Sequence, residues 1–329
     1  NGTTNTGNAN LFLINPNGIM FGRDASLNLG GSFLATTGDR LIFEDGRIFS
    51  AREPNVSSLL SLNMPVGLQM GETPGDIEIM GNGQFIVTNG DPLFALPLVR
   101  SGLSAANLEV TSGQTLALVG GSVTLQGSAL RANGGRIELG GVSNGIVQFA
   151  EGPMGWILDY SDVDLNHDVI LSAQSAVDVS GATSGGVQVV GKQIQVIDGS
   201  VILMQVLDLA QLVGLDLQAS EQLDVSGFEP TTLLASRIAL DTFGNGTAGD
   251  LNITAPHISI REGGEISILH LGADLGSSLN LDSTDTIEVS GRSPRNTSRA
   301  SRLGIGNLGA GVSGAINITT GQLIVDEGA

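Results

Sequence analysis

The sequence predicts an all-β fold, a solenoid of stacked strands, and three observations predict it. A fifteen-residue frame occurs three times without a gap: residues 185–199 read GGVQVVGKQIQVIDG, 249–263 read GDLNITAPHISIREG and 314–328 read GAINITTGQLIVDEG. Glycine supplies 48 of 329 residues, about twice the usual ~7%. Aromatic residues are only 4%, with one Trp and one Tyr.

Within the frame, apolar residues fall two apart, the mark of strands with one buried face. Its glycines hold fixed places, where corners need φ > 0 or have no room for Cβ. Gly185, Gly249 and Gly314 open the copies, so the frame returns after 64 and then 65 residues. A frame at a fixed period marks similar units, each covering its neighbour's apolar face. The interior of such a stack is a narrow prism of Val, Ile, Leu and Ala, which accounts for the scarcity of rings.

Composition sets bounds. Apolar content of 41% excludes disorder. A net charge of −19 repels phosphate backbones, so nucleic acid is not an expected partner. With no cysteine there is no disulfide framework, thiolate zinc site or thiol nucleophile. No run of about 18 apolar residues exists to span a membrane as a helix. The chain opens at Asn1 and closes at Ala329 directly after a completed frame, which reads as a fragment or processed product.

Along the chain, LFLINPNGIMFG (11–22) is two apolar runs around an Asn-Pro-Asn-Gly turn. Its consecutive apolar positions predict strands covered on both faces. Short strands continue over 27–50. Residues 51–74, with Pro54, Pro65 and Pro74, leave the stack, which resumes at 75–79 and 84–87. A second departure runs through 90–104. From 114 to 141 strand and Gly-Gly corner alternate every six to nine residues, and an acidic segment interrupts at 151–168. Residues 201–218 read as strand rather than a short helix. Between the frames stand VDVSG (177–181), LDVSG (223–227) and IEVSG (287–291), taken to recur at the same period. Each period then holds roughly three coils of ~20–25 residues. At roughly 22 residues per coil the whole chain predicts about 13–15 coils and ~60–75 Å.

The segment ANLFLINPNGIMFG (9–22) followed by GGSFLATT (30–37) resembles the secretion domain of two-partner-secretion exoproteins, the filamentous haemagglutinin family. The family's Asn-Pro-Asn-Gly-Ile motif stands here as Asn15, Pro16, Asn17, Gly18 and Ile19. LLSLNMPVGLQMG (59–71), residues 115–141 and the GDLNIT-type frames extend the resemblance over nearly the whole chain. The resemblance implies a right-handed parallel β-helix, export by the general secretory route, and an outer-membrane pore transporter as partner. It also implies deployment outside a Gram-negative-type cell, secreted or on the outer surface, often as an adhesin. The family's domain normally starts several tens of residues earlier, with a helical cap and another Asn-Pro-Asn motif. Residues 1–150 are therefore expected to be a partial secretion, or haemagglutination-activity, domain lacking its N-terminal cap, and the 329-residue chain is not expected to be secreted on its own. Residues 151–329 are expected to continue the β-helix as ~65-residue haemagglutinin-type repeats.

Three places carry candidate chemistry. The Asn15–Ile19 turn either simply holds a corner or fixes a local fold that the pore transporter recognises. The segment WILDYSDVDLNHD (156–168) gathers Asp159, Asp162, Asp164 and Asp168 with His167, Trp156 and Tyr160. Such carboxylates could hold Ca²⁺ or act as an acid–base pair on a sugar. The spacing matches no calcium loop, and the plainer reading is a solvated acidic loop with no metal bound. Arg292, Arg295, Arg299 and Arg302 make a basic cluster in an acidic chain, either a loop between coils or a patch for acidic glycans. No cofactor and no catalytic residue is assigned.

The leading expectation is a non-catalytic rod, an adhesin or extracellular fibre, with cell-surface or matrix glycans as partners and self-association open to it. A polysaccharide-active β-helix enzyme is the second reading and would need the carboxylates of 156–168 to converge. The third is a stalk for an effector domain beyond Ala329.

Overall fold

The computed structural model describes residues 9–329 apart from 28, 54–63, 85, 89–96, 101–107, 153–154, 184, 210–212, 231–233, 246–247, 274 and 295–296. It is all-β, and parallel strands wind into a β-helix with three walls. Residues 115–141 make one complete turn. Thr115–Gly120 lies in the first wall, Val123–Gln126 in the second and Ala129–Ala132 in the third, and Arg136–Gly141 returns beside Thr115–Gly120. The Gly-Gly steps at 120–121 and 134–135 are two of its three corners, and Gly127, at φ 62°, turns the other.

Apolar residues from all three walls meet in one dry core. Leu116, Leu118, Val123, Leu125, Leu130 and Ala132 line it at that turn. Near its start Phe21 packs edge-on against Phe33 at 6.2 Å. Farther along, the interior is aliphatic, as the low ring content predicts.

Among the described residues nine strands stack in the first wall, from Leu11–Ile14 to Ile316–Thr319. At ~4.8 Å per rung that is about 40 Å, shorter than the rod expected from 22 residues per coil. Two causes account for the difference. First, residues leave the stack. Phe33 pairs with Leu116 and Ile137 with Val187, so single coils consume 83 and 50 residues there. Second, the later coils are long. First-wall partners Val187, Leu215, Leu251, Leu279 and Ile316 are separated by 28, 36, 28 and 37 residues. The ~65-residue period is thus two coils, one short and one long, rather than three.

The corner from second to third wall makes the difference. In the short form, an acidic residue and the glycine after it turn the chain: Asp198 and Gly199 have φ of 55° and 75°, Glu262 and Gly263 54° and 83°. Two successive left-handed residues reverse the backbone tightly, and glycine takes such a φ without a Cβ penalty. In the long form, Gly227 and Gly291 begin detours that close with bridges from Phe228 to Ala235 and from Arg292 to Ala300. The Val-Ser-Gly units at 223–227 and 287–291 lead into these detours. The unit at 177–181 differs: Ala176–Asp178 belongs to the third wall, and Val177 precedes Leu223 by 46 residues rather than 64.

Corners are kept in line by small groups. Gly244, Gly272 and Gly309 succeed one another at the corner that ends the third wall. A Cβ on Gly272 would come 1.8 Å from the Gly244 carbonyl oxygen. Gly272→Ala is expected to cost about 1–3 kcal/mol through forced backbone displacement, read as a lower denaturation midpoint. Buried serines serve the corner between second and third walls: Ser175 Oγ accepts the Ser128 N–H and Ser200 Oγ the Ser175 N–H, each at 3.1 Å. Outside the first wall, Asn317, Asn280 and Asn252 donate in sequence down to Asp216 at 2.8, 2.7 and 2.7 Å.

The first departure from the stack is a structure in its own right. An antiparallel sheet runs in the order Gly155–Asp159, Ser143–Gly152, Pro65–Gln69, Arg40–Phe43, Ile48–Ser50. Residues 40–50, expected as further stack, belong to this sheet, and so does Pro65–Gln69 of the 51–74 segment. The sheet packs on the outside of the first wall around a second apolar core, with Leu34, Ala117 and Val119 from the wall and Leu41, Leu68, Val147, Trp156 and Leu158 from the sheet. That is why Phe33–Thr36 and Thr115–Gly120 are buried at every position. At 11–14 the outer side, Phe12 and Ile14, packs on this core, while Leu11 and Leu13 are 43% and 40% exposed.

Ile86–Thr88 does not rejoin the stack as expected. It pairs antiparallel with Leu98–Arg100, and Ile86 and Leu98 cover outward residues of the third wall such as Val201 and Leu203. Most of the 90–104 departure lies outside the described residues. Val201–Leu209 and Leu215–Ser226 are strands, and the described residues of 201–218 hold no helix.

Candidate functional site

The Asn15–Ile19 motif is the first corner of the helix, between the first-wall strand Leu11–Ile14 and the second-wall strand Ile19–Phe21. Asn15 closes it. Its Nδ2 donates to the Gly18 carbonyl at 2.9 Å, its Oδ1 accepts the Asn17 N–H at 3.2 Å, and its carbonyl accepts the Gly18 N–H at 3.2 Å. Gly18 takes φ 120°. Pro16 is buried, and its carbonyl accepts the Gly75 N–H of the next corner at 3.0 Å. Ile19 N–H bonds to Asp76 at 2.9 Å. Asn17 uses only its backbone here, and its side chain is exposed. The corner is thus rigid and presents a carboxamide outward.

The segment 156–168 is brought into the antiparallel sheet rather than into a cleft. Trp156 and Tyr160 are 5% and 7% exposed, so neither offers a face to a sugar. Trp156 stacks on Phe12 at 5.0 Å and near-parallel to Phe149 at 6.4 Å. Thr115 Oγ1 accepts its N–H at 2.7 Å. The carboxylates turn to separate partners. Asp159 accepts the Ser161 N–H at 2.9 Å, a bond that holds its carboxyl below the usual range. Asp164 accepts from Asn144 at 2.8 Å and Asp168 from the Gln193 N–H at 3.2 Å, while Asp162 is exposed. Among the described residues no three histidine or acidic side chains are placed to share an ion.

The arginines of 292–302 also separate. Arg299 is 7% exposed and reaches Glu265 at 3.5 Å. Arg292 is exposed and donates to the Thr297 carbonyl at 2.9 Å. Arg302 stands in the third wall beside Glu265. Arg295 lies outside the described residues. These three described arginines do not form one open patch.

Two buried polar networks were not anticipated. On the outer side of the third wall, Arg237 is 1% exposed and lies 3.3 Å from Glu265 and 3.9 Å from Asp241. Its Nε and Nη2 donate to Ser267 Oγ at 3.0 and 2.8 Å. Gln205 Nε2 donates to Asp241 at 2.9 Å and to the Leu98 carbonyl at 2.7 Å. Burial pushes the Asp241 carboxyl up, partly offset by Arg237. Burial acts the same way on Glu265, but Arg237 and Arg299 outweigh it and hold that carboxyl low. Strand alternation marks these positions as outward, which reads as solvated; the detours and the paired strands Ile86–Thr88 and Leu98–Arg100 that cover this wall leave no periodic signal. The second network joins Arg136, Glu138 and Tyr160 between first wall and sheet.

A parallel β-helix carrying an antiparallel sheet on one wall, with an Asn-Pro-Asn-Gly corner among its turns, defines the class as a β-solenoid. The family model of the TPS secretion domain matches residues 1–192, more than half the chain, and the protein belongs to the family of two-partner-secretion exoproteins. Membership implies a dedicated outer-membrane transporter as partner and secretion across the outer membrane of a Gram-negative bacterium. Comparison with curated proteins and with solved structures gives no significant match.

Proposed function

We propose that the chain is the body of a non-catalytic adhesive and structural rod, recognised by its transporter through the first coils and displaying loops on the later ones. What supports the reading is continuity. Beyond the matched residues 1–192, the first wall runs on rung by rung to Ile316–Thr319, and the same apolar core continues through Leu279 and Leu281. What repeats there is apolar filling and turning residues, which serve length. The detours at 227–236 and 291–301 are where such a rod carries surface loops, and glycans of neighbouring cells or matrix are the ligands it would meet. Side-by-side association of rods is compatible with the same shape.

The first corner supplies the test of the transporter step. Asn15→Ala removes two bonds inside the corner and should loosen it by about 1 kcal/mol. Asn17→Ala removes only an exposed carboxamide. In the full-length precursor, both are expected to lower the secreted fraction, Asn17→Ala without a change in the stability of the purified protein. Unchanged secretion of the double variant would count against transporter recognition at this corner.

A further inference from the structure

Glu138 lies in the dry layer between the first wall and the antiparallel sheet, fully buried, and groups from both sides hold it. From the wall, Arg136 Nε donates to Oε1. From the sheet, the Leu158 N–H donates to Oε1 and the Tyr160 hydroxyl to Oε2, each at 3.4 Å. Its neighbours in the adjoining rungs, Ala117 and Gln188, are uncharged. Arg136, itself 7% exposed, also donates to Gln188 at 2.8 Å. Arg136 and Tyr160 are thus the charged and titratable groups that face the carboxyl from wall and sheet. Thr115 and Trp156, paired beside them, are neutral.

Two of the three donors are long, and both belong to the sheet. An ionised carboxylate in this place is poorly solvated, and lifting the sheet would hydrate it; a protonated one gains little from that.

We propose that Glu138 grades the docking of the sheet onto the β-helix by pH, holding it tightest when the carboxyl carries its proton and loosening it when the proton leaves. Burial raises this carboxyl from 4.5 to about 7, with Arg136, the Leu158 N–H and Tyr160 offsetting only part of the effect. A raised folded-state pKa gives stabilisation that is complete below 4.5 and lost as pH climbs through 7. The opening equilibrium of the sheet should therefore rise on the order of a hundredfold from pH 4.5 to about 8 and level off above it.

The test is amide hydrogen exchange on the whole chain from pH 4.5 to 8.5, corrected for intrinsic rates. Protection of Ser143–Gly152 and Gly155–Asp159 should fall by about that factor, while Arg237–Thr242 and Glu265–His270 in the third wall stay level. Glu138→Gln should flatten the sheet's profile. A flat profile in the unmodified chain, or an unchanged slope in Glu138→Gln, overturns the proposal. Should Glu138→Gln fail to fold, Tyr160→Phe decides. Losing the hydroxyl donor should carry the fall in protection to higher pH, and an unmoved profile overturns the proposal.

Discussion

Arg237→Met is expected to destabilise the third wall by about 3–5 kcal/mol, because it strands buried carboxylates rather than because it deletes a strong bond. Asp241 and Glu265 are 0% and 3% exposed, and Arg237 is the cation closest to both. Without it Asp241 keeps Gln205, and Glu265 keeps Arg299 at 3.5 Å. Replacing Arg237 and Asp241 together by apolar residues should recover part of the loss, since a buried pair contributes little beyond its desolvation cost. A solenoid unfolds in sections. The readout is therefore exchange protection of Arg237–Thr242 and Glu265–His270, set beside the first strands of the chain. Equal loss at both ends, or none at either, would contradict the local role given to Arg237.

Trp156→Ala is expected to cost about 3–5 kcal/mol and to act at the opposite end. The indole is the centre of the sheet's core, against Phe12 and Phe149, and its backbone bonds to Thr115 in both directions. Its removal should release the sheet to proteases while the coils after residue 200 keep their protection, because each coil of a stack rests only on its neighbours. Trp156 is the only tryptophan, so Trp156→Phe serves as the conservative control. Retained sheet protection in Trp156→Ala would show that the sheet docks through its other contacts.

The solenoid was legible because its cause is periodic. Alternating apolar positions and corner glycines write the core of every rung into the residues, and 115–141 follow the pattern step for step. The coil count was not legible, since the pattern does not say which residues stay in the stack. Residues 40–50 read as stack strands, yet Arg40–Phe43 pairs with Pro65–Gln69, which pairs in turn with Ser143–Gly152, far away in sequence. Trp156 and Tyr160 read as part of a solvated loop because their neighbours are acidic. The alternation within GWILD already had Trp156 and Leu158 on one face, and that face is buried. Arg299 stood in a cluster of like charges, and only the fold brings Glu265 within its reach.

The alternation of coil lengths has a consequence for how such a chain can be rebuilt. From Gly185 onward a tight acid–glycine corner sits next to a detour corner, so there neighbouring rungs are unlike and every second rung is alike. A seam cut and rejoined across one 64- or 65-residue unit meets the kind of corner it left. A seam across a single coil sets two detours, or two tight corners, on top of each other. The rod's reach is therefore quantised in double rungs, steps of about 10 Å, and two detours on the same edge stand one such step apart, like fittings on a ruler.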